Sequence, residues 1–238
     1  TGMYANTDED PTVDGTGSPL THHGCALEAI VSHVEEETSL SFEDLVQAAN
    51  TVRHAIQHLP LSRAHYYDTA DTFLETLEPV IPSPETPLIS AEQPLESLYP
   101  TISWRYAEEL PPEELTAHPA SETFPGAVIG EVVTHRVTLS ATYAGRDTRY
   151  AYSGAGADVW RSTGVYASPG QLLKVVVPSE ARDAGLEVLI GTHTDTLWHL
   201  EQIERFPDVT RRYPITSEET AVASAFGGLR PRAGRGLW

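Results

Sequence analysis

Ten of the eighteen prolines in this chain fall in one block: Pro79, Pro82, Pro84, Pro87, Pro94, Pro100, Pro111, Pro112, Pro119 and Pro125. Proline fixes φ and carries no amide hydrogen, so it interrupts helix interiors and central strands alike. A block this dense predicts a semi-stiff linker over residues 80–124, one that holds neither a long helix nor a central strand. Trp104 and Tyr106 within it are candidates to dock part of the linker onto a neighbour. The block divides the 238 residues into two halves with different hydrophobic periods.

Before the block the period is helical. Residues 1–24 are polar and rich in Gly, Pro and Thr, and read as a flexible lead-in. Over 25–79 three amphipathic helices are expected. Leu27, Ile30, Val31 and Val34 recur at i, i+3, i+4 and i+7. Ser41 is placed to cap a second helix, with Asp44 three residues on, and its stripe is Phe42, Leu45, Val46, Ala49, Val52, Ile56 and Leu59 before Pro60. Ser62 is placed to cap a third, whose face is Tyr66, Ala70, Phe73, Leu74 and Leu77. Such helices with short connections make a small bundle.

After the block the period is two. Val133, His135, Val137 and Leu139 alternate with polar residues, and 143–152 reads as a turn and a returning strand. "QLLKVVVP" (171–178) and "LEVLI" (186–190) are further strands, the latter with Leu186, Val188 and Ile190 inward against Glu187 and Leu189. Short strands with turn signals about every ten residues predict an antiparallel β-sandwich or jelly-roll-like domain over 125–228. The expected class is α+β: helical bundle first, β-rich domain second. Residues 229–238, "LRPRAGRGLW", show no apolar alternation and read as an aberrant basic tail.

Charge narrows the partners. Fifteen basic against 34 acidic residues give a net −19, which disfavours nucleic acid and anionic lipid. No apolar run approaches the roughly 20 residues of a spanning helix. The chain opens on Thr1 with no leader pattern, which reads as a removed leader or a fragment. Its single cysteine, Cys25, excludes an intrachain disulfide and reads as a small hydrophobe on a helix.

Two places carry candidate chemistry. His54 and His58 stand one helical turn apart, but opposite the apolar stripe and with no third ligand, so they read as solvent-facing. The stretch "GTHTDTLWH" (191–199) is denser. If the 186–190 strand continued, His193 and Asp195 would share a face. Three readings stay open: a metal site with His199, a His–Asp pair that orders a turn, or a ligand surface that includes Trp198. No His-Glu-x-x-His occurs, nor G-x-S-x-G, nor a phosphate loop, nor C-x-x-C. No catalytic residue and no metal ligand is therefore assigned.

Four fragments in order carry a resemblance: "STGVYASPGQLLKVVVP" (162–178), "GLEVLIGTHTD" (185–195), "RFPDVTRRYPI" (205–215) and "SAFGG" (224–228). Together they resemble the N-terminal part of the M60-like peptidases, the family of viral enhancins and bacterial mucin-degrading glycopeptidases. The resemblance covers about residues 125–228. It implies secreted or cell-surface zinc metallopeptidases acting on O-glycosylated proteins. In that family this segment is a β-rich lead-in, and the zinc-binding His-Glu-x-x-His lies later in the chain. The resemblance thus implies no cofactor in this chain, with zinc belonging to the complete family member. Where the family pattern would enter an apolar strand after Gly228, this chain departs, which reads as a truncated or frame-shifted gene or a fragment. The expected function is that of a non-catalytic N-terminal portion of an M60-like metallopeptidase, with His193, Asp195 and Trp198 bordering its substrate cleft. Two alternatives stand beside it. One is a carbohydrate- or glycoprotein-binding module that stacks sugars on Trp160, Tyr166 and Trp198, unless Trp160 and Tyr166 are core residues. The other is a protein-interaction module built on the helical half.

Overall fold

The computed structural model describes residues 19–59, 64–126, 128–130, 136–138, 159–191, 193 and 195–234. Helices come first and short antiparallel strands second, an α+β chain. It divides into two units, Thr1–Val80 with Thr86–Glu109, and Ile81–Glu85 with Leu110–Trp238.

The first unit holds α1 (His23–Val34), α2 (Phe42–Ile56), α3 (Ala64–Thr76), a two-residue strand β1 (Leu88–Ile89) and α4 (Leu98–Glu109). Each helix turns its apolar stripe into one core. Leu27, Ile30 and Val31 of α1 meet Ala49, Val52 and Ile56 of α2 and Tyr66, Ala70 and Phe73 of α3. The start of α2 follows from local chemistry. The Ser41 hydroxyl accepts the Asp44 amide at 3.2 Å and donates to the Asp44 carboxylate at 2.6 Å. Glu43 and Asp44 lie at the positive end of the helix dipole and Arg53 and His54 at the negative end. Ser41→Ala is expected to destabilise this unit by about 1 kcal/mol, and Ser41→Thr to restore most of it, read from thermal unfolding. Phe42 departs from the predicted stripe: at the first helical position it is exposed. His54 and His58 are exposed as expected, with ring centroids 5.9 Å apart. Cys25 is half-buried on α1. The predicted cap at Ser62 lies outside the described residues.

The helix α4 corrects the linker reading. Twelve residues of the proline block are helical, and Leu98 and Ile102 belong to the helical core. Position explains it. Pro100 is the third residue of α4, in the first turn, where a helical amide has no partner to lose. Pro111 and Pro112 come only after the helix has ended. Side chains of α4 then finish the unit. The Arg105 guanidinium donates to the Leu59 carbonyl through Nε (3.1 Å) and Nη2 (2.8 Å), and Tyr67 donates to the same oxygen at 2.8 Å. The Tyr106 hydroxyl donates to the Tyr67 carbonyl at 2.8 Å.

The second unit holds β2 (Val159–Ala167), β3 (Leu173–Val176), β4 (Leu186–Ile190), β5 (Gln202–Ile203), β6 (Arg211–Pro214), β7 (Glu219–Val222) and β8 (Gly228–Gly234). An antiparallel four-stranded sheet has the order β2-β8-β4-β6, and β3 pairs with β7 in a two-stranded antiparallel sheet. The two sheets share a core. Val188 and Ile190 of β4 cluster with Ala167, Val177, Ile215 and Val222, and Leu173 and Val175 pack on them. The alternation predicted for β4 places Leu189 outward, yet Leu189 is fully buried too. β4 is an interior strand, flanked by β8 and β6, and both of its faces are covered there. Of the strand predicted at 133–139 only 136–138 are described, and they form no ladder. The hairpin at 143–152 lies outside the described residues.

Residues 229–234, read from sequence as part of a basic tail, belong with Gly228 to β8, the second strand of the main sheet. Ala167 pairs with Gly228 and Val159 with Gly234 on one side, and Val188 with Arg232 on the other. Pairing is a backbone property and needs no apolar alternation. Pro231, which cannot donate to a ladder, sits where β2 is irregular, between Ser162 and Tyr166. There the Gly164 and Val165 amides turn to the hydroxyls of Ser162 (3.1 Å) and Thr163 (3.2 Å).

Candidate functional site

The stretch 191–200 begins where β4 ends. Gly191 has φ +80, and a Cβ there would stand 2.9 Å from the Val209 carbonyl oxygen. The chain therefore turns at Gly191, and the strand does not carry on through His193. The loop that follows folds onto residues 205–210. The Thr210 hydroxyl donates to the His193 carbonyl at 2.6 Å, and the Leu197 amide donates to the Pro207 carbonyl at 3.0 Å.

Asp195 does not pair with His193 as the two-residue spacing suggested. Its carboxylate accepts from the Arg205 guanidinium instead. Arg205 also donates from Nη1 to the Phe206 carbonyl at 3.1 Å, and its Cζ lies 4.7 Å over the Phe124 ring. The Phe124 ring also meets the His193 imidazole, centroid to centroid 4.6 Å. Asp195, Arg205, Phe124 and His193 thus form one continuous row. Asp208 lies beside it. Burial pushes its carboxyl above the usual range, opposed by the Thr210 amide at 3.1 Å and by the Arg205 charge. Trp198 and His199 occupy the next turn, Trp198 half-buried and His199 exposed.

Beside Arg205 the chain turns inward. The Phe206 and Phe226 rings lie tilted against each other with centroids 4.6 Å apart, and the His118 ring meets them at 4.7 Å and 4.9 Å. His118 Nδ1 accepts the Ala120 amide at 3.1 Å, which starts a short 3-10 turn, Pro119–Glu122. Burial holds this imidazole down to about 4, so it is neutral at pH 7.

Sequence reading found His193, Asp195 and Trp198 in one loop. It missed Phe124, Arg205 and Asp208, which complete the row. "RFPD" was visible as a fragment, but nothing local assigns its arginine to Asp195, and Phe124 arrives from another part of the chain. The arrangement offers a solvent-exposed carboxylate, one oxygen of which accepts from Arg205, three residues before a half-buried tryptophan. It can accept hydrogen bonds and present an aromatic surface. Among the described residues no group of three His, Cys, Asp or Glu is placed to hold a metal ion. No helix among them is long and apolar enough to cross a membrane.

This loop and all of its strands but the end of β8 fall within residues 134–230, which match the family model described as the N-terminal domain of M60-like peptidases. The resemblance read from the four sequence fragments and this match cover nearly the same segment. Curated relatives match parts of the chain. A TRPM8 channel-associated factor 3 of Mus musculus is 43% identical over 70 residues, 29% of this chain and 8% of that protein. A TRPM8 channel-associated factor homolog of Danio rerio is 30% identical over 126 residues, 51% of this chain and 14% of that protein. The TRPM8 channel-associated factor 2 of Homo sapiens is 40% identical over 72 residues, 30% of this chain and 8% of that protein. The chain thus spans a small part of the length of the relatives it matches. No solved structure gives a significant match.

Proposed function

We propose that the strand unit is a non-catalytic recognition domain of a larger M60-like protein, and that the 191–200 loop borders the surface it presents to a target. The observation that carries this reading is the match of residues 134–230 to the N-terminal domain of M60-like peptidases. The zinc that the family name implies needs two imidazoles one helical turn apart and a carboxylate, and the 238 residues contain no His-Glu-x-x-His. The donors do not fit that metal, so no step through zinc is assigned to this chain. Its own residues bind and orient: Asp195 accepts hydrogen bonds, Arg205 holds it in place, and Trp198 supplies an aromatic face. An O-glycosylated polypeptide suits such a surface, since sugar hydroxyls seek the carboxylate and a pyranose face seeks the indole. A protein partner is the second reading, supported by the relatives' names, which describe channel-associated factors.

The test uses the purified chain with mucin-type glycopeptides, the same peptides deglycosylated, and a chelator control. Binding without cleavage is expected, and Asp195→Ala with Trp198→Ala should weaken it at least about tenfold. Preference for the deglycosylated peptide favours the protein-partner reading over the glycan one. Cleavage that a chelator abolishes would overturn the non-catalytic assignment, and full binding by the double variant would remove the loop from the site.

A further inference from the structure

Side chains along β3 alternate. Leu173 and Val175 pack on the core that the two sheets share, and Val177 just beyond them is buried. Leu172, Lys174 and Val176 are exposed instead, Leu172 at 49% and Val176 at 60%. The backbone alternates in step. Val175 is opposite Thr220 and Val176 opposite Glu219, and one residue on the Val177 amide donates to the Glu218 carbonyl at 2.9 Å. Hydrogen-bonded pairs in an antiparallel ladder recur at every second residue. Leu173, Val175 and Val177 are therefore the residues bonded to β7, and the amides and carbonyls of Lys174 and Val176 face away from it. On that side β3 has no ladder partner among the described residues. The Lys174 ammonium reaches its diagonal neighbour Glu219 at 2.7 Å, and both side chains stay largely exposed.

We propose that the open edge of β3 takes an extended segment of another polypeptide as an added strand, one with a carboxylate flanked by apolar residues two positions to either side. The backbone selects the shape. Its outward amides and carbonyls are answered by a strand, and not by a helix, whose own groups are paired internally. Side chains select the sequence. On the outer face an added strand stands against Leu172, Lys174 and Val176, so apolar, acidic and apolar residues match them. An ammonium has three donors, and Glu219 leaves room for a second carboxylate. A second copy is the poorer occupant. Its symmetrical antiparallel register sets Lys174 against its own counterpart, and like charges directly opposite are destabilising. Shifted registers meet Pro178, which has no amide, or Gly170, where φ of +69 turns the chain. With so few residues able to pair, the association is weak and reversible. It does not involve the 191–200 loop, and it stands whether or not that loop binds a glycan.

The probe is a capped seven-residue peptide in which threonine alternates with valine, glutamate and valine. It is titrated into the full chain, with amide hydrogen exchange followed by NMR. At saturation the Lys174 and Val176 amides should gain at least about tenfold protection. Lys174 is also the only lysine in the chain, so its acylation by an amine-reactive ester, read by mass spectrometry, should slow in parallel. The same peptide with lysine in place of glutamate should bind about tenfold more weakly, and Lys174→Glu should invert that preference. Val176→Pro removes an amide that does not serve β7 and should abolish binding with the β3–β7 ladder kept. If the proline variant does not fold, the parent chain and Lys174→Glu decide. Asp195→Ala with Trp198→Ala should leave this binding unchanged; its loss there would move the peptide to the loop and overturn the proposal. Equal binding by both peptides would overturn the acidic occupant, and equal binding by a peptide N-methylated at alternate amides would overturn strand addition. Protection of the same amides in the chain alone, rising with its concentration, would assign the edge to a second copy instead. No protection at peptide concentrations up to about 5 mM would overturn the site.

Discussion

Phe206→Ala is expected to destabilise the strand unit by about 3–5 kcal/mol, the range for deleting a fully buried aromatic side chain. The ring is 1% exposed and touches two others, Phe226 and His118. Its removal therefore leaves a cavity between groups that are themselves anchored. Phe226 sits just before the two glycines that lead into β8, and His118 is held at both its amide and its Nδ1. Neither can move in to fill the space, so the cost belongs near the upper end. Phe206→Leu keeps much of the volume and should cost only about 1–2 kcal/mol. Denaturant unfolding followed by tryptophan fluorescence separates the two. The variant should also loosen the candidate site, because Arg205 is anchored through the Phe206 carbonyl. Equal stability of Phe206→Ala and the parent chain would contradict the packing described.

Gly228→Ala should be comparably harmful for a different reason. Gly228 has φ +129, a conformation that L side chains rarely adopt, and a Cβ there would stand 2.8 Å from the Gly191 Cα. The obstacle is backbone, and it is another glycine with positive φ. Neither segment can yield without moving a strand, since Gly191 closes β4 and Gly228 opens β8. Strain and overpacking together give on the order of 2–6 kcal/mol. Gly130→Ala is the control: its φ is also positive, but nothing lies within 4 Å of its Cβ position. It should cost about 1–2 kcal/mol from the backbone alone. A Gly228→Ala protein no less stable than Gly130→Ala would show that the Gly191–Gly228 approach is not a constraint.

What the sequence made legible was local. The Ser41–Asp44 cap, the stripe of α2 apart from Phe42, and the strands at 173–176 and 186–190 apart from the outward placing of Leu189 depend on neighbours within a few residues, and the structure has them as read. The α+β order followed from the change of period. α4 was hidden because counting prolines ignores where in a helix each one falls. β8 was hidden because ladder pairing leaves no mark on side-chain pattern when the strand holds Pro231 and charged residues. The site was half legible. His193, Asp195 and Trp198 are contiguous enough to notice, whereas the partner of Asp195 and the ring between Arg205 and His193 are set by the fold. The spacing argument for a His–Asp pair assumed a straight strand, and Gly191 bends it away.

The place of β8 governs how the strand unit comes together. Among the described residues β2 has no ladder partner except β8, and β8 is also what joins β2 to β4. Until residues 228–234 have left the ribosome, two strand edges wait with their amides and carbonyls unpaired, far apart along the chain. A nascent or shortened polypeptide in that condition invites a strand from a second copy into the vacancy. Keeping this segment attached is thus also a safeguard against chains trading strands.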